Sequence, residues 1–408
     1  MKLFTRDLSK SIWASLPGQA LAASLLFSMI SISLTQIFLF LAIVLWAVWV
    51  IKEKRPFRAP TFFIPLLIYS ALSFAAAAFS VNQTVSFGNL RELALFLVIP
   101  VAYMALDSIE EVDRANLAVF MSASVSMVYS FYHFFFKAAP AERIKGFMGH
   151  YMTQAGLLVL FISLALAMLF FERKKIRWLW GAGAVAALAA LVLTLTRNAW
   201  IGLAVALCVL VFLYKPKFVL AVPILVVIVF FASPAPVKQR ALSIFTLHGF
   251  SNRIRVEYLQ AGLKIIRDHP WFGTGPDTVD MVFQNPKYGL SEEAKRNVHL
   301  HNTPLQIAAE RGIPALLAWL AFIVWTFLEL AKLVRLRSKG KEPAGRREPV
   351  VAPLAAAALA GLAAFVLSGL FEYNFGDSEV IVLFLFLMTV PFAARRHQVL
   401  AVDKHIQL

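Results

Sequence analysis

The sequence predicts an all-α integral membrane protein of about twelve transmembrane helices, with both termini cytoplasmic and one large loop facing outward. Three observations predict it. Sixty per cent of the 408 residues are hydrophobic and 36 are Phe, giving a mean hydropathy of +0.73, which water-soluble chains do not reach. One segment after another attains the ~20 apolar residues that cross a ~30 Å hydrocarbon core. The basic residues of the short loops all fall on one side.

The elements follow in order. Residues 11–51 contain no charged side chain, about twice one span at ~1.5 Å per residue, which predicts two helices with a tight turn near Ser31–Gln36. That start reads as an anchor rather than a cleaved signal peptide. Further spans are predicted at 61–80, 88–106, 115–136, 154–171, 178–195, 199–214 and 218–232, closing an N-terminal transmembrane bundle over 1–232 with about nine spans. The loop occupies 233–311. Three more spans, at 312–334, 350–370 and 379–394, form a C-terminal group, and 395–408 is a tail. Helices suit this setting because they satisfy their own backbone groups, which lipid cannot do.

Orientation comes from Lys52, Lys54, Arg55 and Arg58, from Arg173, Lys174, Lys175 and Arg177, from Lys215 and Lys217, and from the basic run Lys332 to Arg347. The positive-inside rule assigns that side to the cytoplasm. Segments 137–153, 195–199, 233–311 and 371–379 then face outward together.

Much of the net charge of +16 is this topological bias, so it argues for no nucleic acid partner. The outward share is different. Lys238, Arg240, Arg253, Arg255, Lys264 and Arg267 in the loop, with Arg143, Lys145 and Arg197 elsewhere on that face, point to membrane lipid head groups or an anionic substrate. Cys208 is the only cysteine, which excludes a disulfide or thiolate metal site within the chain.

Inside the loop a helix is expected over 253–267, ended by Asp268-His269-Pro270 because proline disfavours helical geometry in the residue before it. Trp271–Pro276 reads as a structural turn. Gly273 and Gly275 lack the third glycine of a dinucleotide fingerprint. A further helix is expected from about Asn302–Pro304, through Gln306 and Glu310, into the next span.

These segments carry a resemblance. His301-Asn302, nine residues, then Gly312 resembles the signature of the O-antigen ligase and Wzy polymerase family of bacterial membrane glycosyltransferases. Thr194, Thr196-Arg197, Trp200 and Gly202 are similar to the family's Ser/Thr-Arg helix start. Arg253, Arg255, Tyr258, Ala261 and Asp268–Gly275 are similar to its outer-loop element, and Arg143–Gly146, Gly149-His150 and Phe371–Asp377 also fit. The similarity runs from about 85 to 394. It implies transfer of a glycan from undecaprenyl pyrophosphate to an acceptor hydroxyl on a lipid A-core sugar or another glycan, at the periplasmic face of the inner membrane. It also implies no cofactor and no required metal, and it makes 233–311 a periplasmic catalytic loop. The family's ligases usually carry threonine three residues after the glycine. This chain has Ala315, which keeps a polymerase reading alongside the ligase one.

The residue chemistry fits that expectation. A neutral imidazole can take the proton of a sugar hydroxyl as its bond to the anomeric carbon forms, and His301 is the candidate base. Guanidinium groups can meet the charge of departing pyrophosphate, and Arg197 and Arg255 are the candidates. Arg253, Asn302, His299, Arg143 and Lys145 are expected to bind substrate. Plainer readings stand beside these. His301 could cap a helix, Arg197 could snorkel to the interface, and His299 could be a bystander. Arg253 and Arg255 diverge by about 200° on a helix, so one of them enters the cleft, and Tyr258 favours Arg255. His299 and His301 with His269 make a weak metal set for want of a fixed third ligand. A transporter would need charged or broken helices at mid-membrane, which these spans lack, and a non-catalytic scaffold would make the outer histidine dispensable.

Overall fold

The computed structural model describes residues 12–139, 142–172, 175–246, 249–338 and 351–406. Among them there is no strand. Sixteen α-helices run in order: α1 (Ile12–Phe27), α2 (Ile32–Lys52), α3 (Phe63–Ala78), α4 (Gln83–Asn89), α5 (Val98–Ala105), α6 (Ile109–Phe136), α7 (Tyr151–Phe171), α8 (Arg177–Leu193), α9 (Arg197–Tyr214), α10 (Ala221–Ala232), α11 (Ala235–Leu242), α12 (Phe250–Asp268), α13 (Val279–Phe283), α14 (Thr303–Ser338), α15 (Val351–Gly369) and α16 (Ser378–Ile406).

Eight of the described helical stretches are long and apolar enough to cross a membrane. Four shorter apolar helices, Ala14–Phe27, Phe63–Ala78, Arg177–Leu193 and Pro216–Ala232, occupy the remaining places where spans were expected. The expected span at 218–232 is short in regular α-helix. α10 has 12 residues, about 18 Å of helix against a ~30 Å core. The stretch at 88–106 is interrupted by a 3₁₀ segment, Leu90–Leu97, between α4 and α5. The turn between the first two helices lies at Ser28–Ser31, earlier than expected, and Ser31 caps α2 by accepting from the Leu34 amide. Most of the basic run after Lys332 lies outside the described residues, as do Arg173 and Lys174.

α7, α15 and α16 form the centre. Alanines from Ala355 to Ala358, with Ala360 and Ala364, make α15 narrow, and all are buried. Small residues let helices approach closely where lipid supplies no hydrophobic drive. At Gly202 of α9 an added Cβ would lie 3.0 Å from the Ala364 carbonyl oxygen, so glycine there sets how closely α9 sits on α15.

The insert between α10 and α14 has its own small core, in which Tyr258, Ala261, Ile265, Phe283, Leu300 and Ala309 are all buried. It is fastened to the bundle at a break in α14. Gly312 has φ 81 and ψ 169, a conformation essentially restricted to glycine. The break frees the Ala309 and Glu310 carbonyls and the Ile313 amide, and Pro314 has no amide to offer. Buried backbone groups must find partners. Here Thr274 N donates to Ala309 O at 2.9 Å, Gly275 N to Glu310 O at 2.9 Å, and Ile313 N to Pro270 O at 2.8 Å, while Val81 N donates to Thr274 O at 2.9 Å. The Trp271–Pro276 turn is therefore a structural lock. Added Cβ atoms at Gly273 or Gly312 would strike the opposite backbone, that of Glu310 or Trp271.

Gly312→Ala is expected to destabilise the purified chain by about 3 kcal/mol or more, combining an unfavourable backbone region with that collision. Thermal unfolding in detergent checks it. Gly88→Ala, where an added Cβ meets nothing within 4 Å, should change little.

Candidate active site

Four connections that the sequence assigned to one face converge in space. Ile144 N donates to Leu193 O at 3.3 Å, joining 137–150 to the end of α8. Arg197 donates to the Ser243 carbonyl, and Arg255 Nη2 reaches Phe371 O at 3.4 Å. Segments 142–150, 194–197, 235–246, 249–302 and 370–377 thus form one site.

His301 stands at its centre, immediately before α14, with φ 48. A non-glycine residue in the left-handed region is uncommon, though histidine tolerates it better than most. Neighbours hold it there. Gln306 Oε1 accepts from the Leu300 amide at 2.7 Å. Asn302 caps α14, its Oδ1 accepting from Leu305 N at 2.9 Å while its Nδ2 donates to Leu370 O at 2.8 Å. The cap reading entertained for His301 belongs to Asn302, whose amide is committed at both ends to protein rather than open to substrate.

The partner of His301 is Glu372. The two carboxylate oxygens lie 3.2 and 3.1 Å from His301 Nδ1, and Glu372 Oε1 lies 3.2 Å from His299 Nε2. The two imidazole centroids are 4.3 Å apart. Glu372 is itself fixed. Tyr373 N donates to its Oε1 at 3.1 Å, and Thr303 Oγ1 donates to its carbonyl at 2.9 Å. Nδ1–H pointing at a carboxylate selects the tautomer whose Nε2 is free to accept a proton.

The electrostatics follow from burial and contact. Burial opposes charge on Glu372, but hydrogen bonds from His299 and His301 outweigh it and hold the carboxyl well below the usual range. Burial likewise opposes an imidazolium at His299, and the Glu372 hydrogen bond overcomes it, leaving the group raised. His150 has no such direct partner, and burial lowers it. A stability profile is expected from this. The His299 share is fully present below its ordinary value of about 6.5 and is lost as pH rises through the raised one. The Glu372 share is present above about 4.3 and is lost as pH falls toward the lowered one. The unfolding temperature should therefore fall as pH climbs above about 6.5, and His299→Gln should flatten that limb. A level wild-type profile would refute the pairing.

Guanidinium groups gather beside this carboxylate. Arg255 donates from Nη1 to Ser251 Oγ at 3.1 Å, and its buried Nε has no protein partner. Burial lowers it, with Glu372 acting the other way and Arg240 adding to the lowering. Arg143 donates to the Thr194 and Leu195 carbonyls, both at 3.0 Å, at the C-terminal end of α8 where the helix dipole favours a cation. It also lies 3.3 Å above the Tyr151 ring centroid, and burial lowers it to about 10, still cationic at neutral pH. Arg240 Nε shares the Leu195 carbonyl at 3.1 Å. Arg197 is buried rather than snorkelling, and its Nη atoms serve Ser243 Oγ at 3.0 Å and Asn252 Oδ1 at 3.0 Å.

The remaining candidates separate. Arg253 sits on the outer face of α12, 3.7 Å from Glu257, while Arg255 turns toward Phe371. Lys145 is exposed beside the short turn Gly146–Met148. Two participants were given no role from the sequence, Glu372 and Arg240. Glu372 had one signal, an acid inside the quoted Phe371–Asp377 motif on a face otherwise rich in cations. The third metal ligand missing from the sequence is also Glu372, since it, His299 and His301 offer ligand atoms within 4.8 Å of one another.

The stretch from within α8 to the middle of α14, residues 182–320, matches the family model described as O-antigen ligase. No curated protein matches the chain. The matched stretch supplies Arg197, Arg240, Arg255, His299, His301 and the Gly312 break, while Arg143 and Glu372 come from outside it. Enzymes of this family transfer glycosyl groups in membranes, with lipid-linked glycans and glycan acceptors as substrates.

Proposed function

We propose that the protein is an O-antigen ligase that moves a glycan from undecaprenyl pyrophosphate to a hydroxyl of a lipid A-core sugar, at the periplasmic face of the bacterial inner membrane. In this reading the acceptor hydroxyl gives its proton to His301 Nε2 as its oxygen bonds to the anomeric carbon. The bond from that carbon to the phosphate oxygen breaks, and the carrier diphosphate leaves with the electron pair. Glu372 holds the imidazole and stabilises the imidazolium. Arg255, with an unpartnered Nε, binds the diphosphate. Arg143, Arg197 and Arg240 add positive field from positions braced by backbone carbonyls. The donor's activated leaving group makes a metal unnecessary, so turnover should survive EDTA.

The single observation supporting this most strongly is the His301 Nδ1 to Glu372 contact of 3.1 Å beside a partly buried arginine cluster. Ala315, where the resembling ligases usually have threonine, favours a second reading as a Wzy-type polymerase. Electrophoresis of lipopolysaccharide from a strain lacking the protein decides between them. Bare core with polymer retained on its carrier is expected for the ligase. Core bearing one repeat unit would mark a polymerase, and an unchanged pattern would reject both.

A further inference from the structure

A cavity lies beside the candidate base, apart from the arginine cluster. It lies against Glu372 and His299, between the starts of α7, α9 and α16 and the end of α15, and its volume is about 300 Å³. Its chemistry is not that of a diphosphate site. None of the four arginines lines it, and no lysine does.

The lining has two characters. Glu372, Asp377 and Glu379 supply carboxylates, and Thr153, Ser368 and Ser378 supply hydroxyls. Met152, Gly156, Ala199 and Val380 supply apolar surface. Thr153 Oγ1 donates to Asp377 Oδ2 at 2.7 Å. Burial pushes Asp377 up, and its hydrogen bond to Glu379 pushes it further the same way, so the Asp377 carboxyl can offer a donor as well as an acceptor. A ring with hydroxyls at its edge and C–H bonds on its face matches such walls. An anionic ligand would find no free cation here, because His299 is already paired with Glu372 and burial lowers His150, while Asp377 and Glu379 have no basic partner among the lining residues. The volume stands at the small end of the ~300–1,000 Å³ typical of ligand pockets, suited to a single ring rather than a long chain.

We infer that this cavity is a subsite for one uncharged, hydroxyl-rich sugar ring, held beside the His299–Glu372 pair. The inference rests on the glycan-transfer reading, and its occupant is either the acceptor sugar or the first sugar of the donor. Saturation-transfer NMR on the full chain in detergent micelles tests it, with methyl β-glucoside, methyl β-galactoside and methyl β-glucuronide as probes. At least one neutral hexoside should bind saturably, and the glucuronide about tenfold more weakly or not at all. Glu379→Gln should weaken hexoside binding about tenfold. Gly156→Leu, which places a side chain into the space, should abolish it.

If neither hexoside binds, if the glucuronide binds as well, or if Gly156→Leu leaves binding intact while unfolding normally, the inference is overturned. In a transfer assay the Glu379→Gln variant should raise KM for one substrate more than it lowers kcat. A raised acceptor KM identifies the acceptor sugar as occupant, and a raised donor KM identifies the donor's. Equal loss in kcat and kcat/KM with unchanged hexoside binding would also overturn it. His301→Ala protein should still bind the hexoside. Full turnover by that variant would sink the glycan-transfer reading while leaving the binding result to stand by itself.

Discussion

Replacing His301 by alanine is expected to lower glycan transfer by about 10²–10⁴-fold, the range that a positioned general base contributes. The loss should fall on kcat, because the imidazole acts as the hydroxyl proton moves, and donor binding at the arginines should persist. Alanine carries a backbone complication, since position 301 has φ 48 and alanine tolerates that region poorly. Asparagine accepts it more readily, so His301→Asn should unfold near the wild-type temperature while remaining as inactive as the alanine variant. Initial rates with lipid-linked donor, paired with thermal unfolding, read both quantities. Activity above a tenth of wild type in a folded His301→Asn protein would remove this residue from the base role.

The second large effect is expected at Glu372, whose side chain never needs to touch a sugar's reacting atoms. Glu372→Gln preserves shape but removes the charge and presents an NH₂ that donates to a histidine nitrogen, selecting the wrong tautomer. Transfer should fall by about 10²–10⁴-fold, by the logic that makes the orienting carboxylate of a Ser-His-Asp triad matter. A purely structural carboxylate would instead lose stability and rate together without altering pH behaviour. The discriminating readout is the pH–rate profile: the variant should lose the limb set by the histidine pair. Glu372→Asp, which keeps the charge on a shorter stem, should recover part of the rate. A glutamine variant with wild-type kcat at every pH would end the positioning role.

Much of the architecture was legible because it is carried by local composition. Apolar runs marked the helices, and Asp268-His269-Pro270 marked the end of α12, observed at Asp268. The divergence of positions two apart on a helix separated Arg255 from Arg253. Illegible features depend on partners distant in sequence. Glu372 meets His301 across 71 residues, and a single chain offers no means of pairing them. The break at Gly312 escaped because hydropathy averages over a window and is blind to backbone dihedral angles. It becomes intelligible only when Thr274 and Gly275 take the freed carbonyls. α10 is shorter than its apolar run for a related reason, since that run begins with a turn at Pro216–Phe218 that consumes length without adding α-helix.

The lock between Trp271–Pro276 and the α14 break also bears on how the molecule can be taken apart. Residues 233–311 have a core of their own, yet α14 runs on out of them, and their backbone meets the Ile313 amide beyond their end and binds Val81 as well. Swapping that stretch alone between homologous enzymes should give poorly folded hybrids. Exchanges that carry residues 79–86, 270–277 and 303–314 as one cassette should preserve the join.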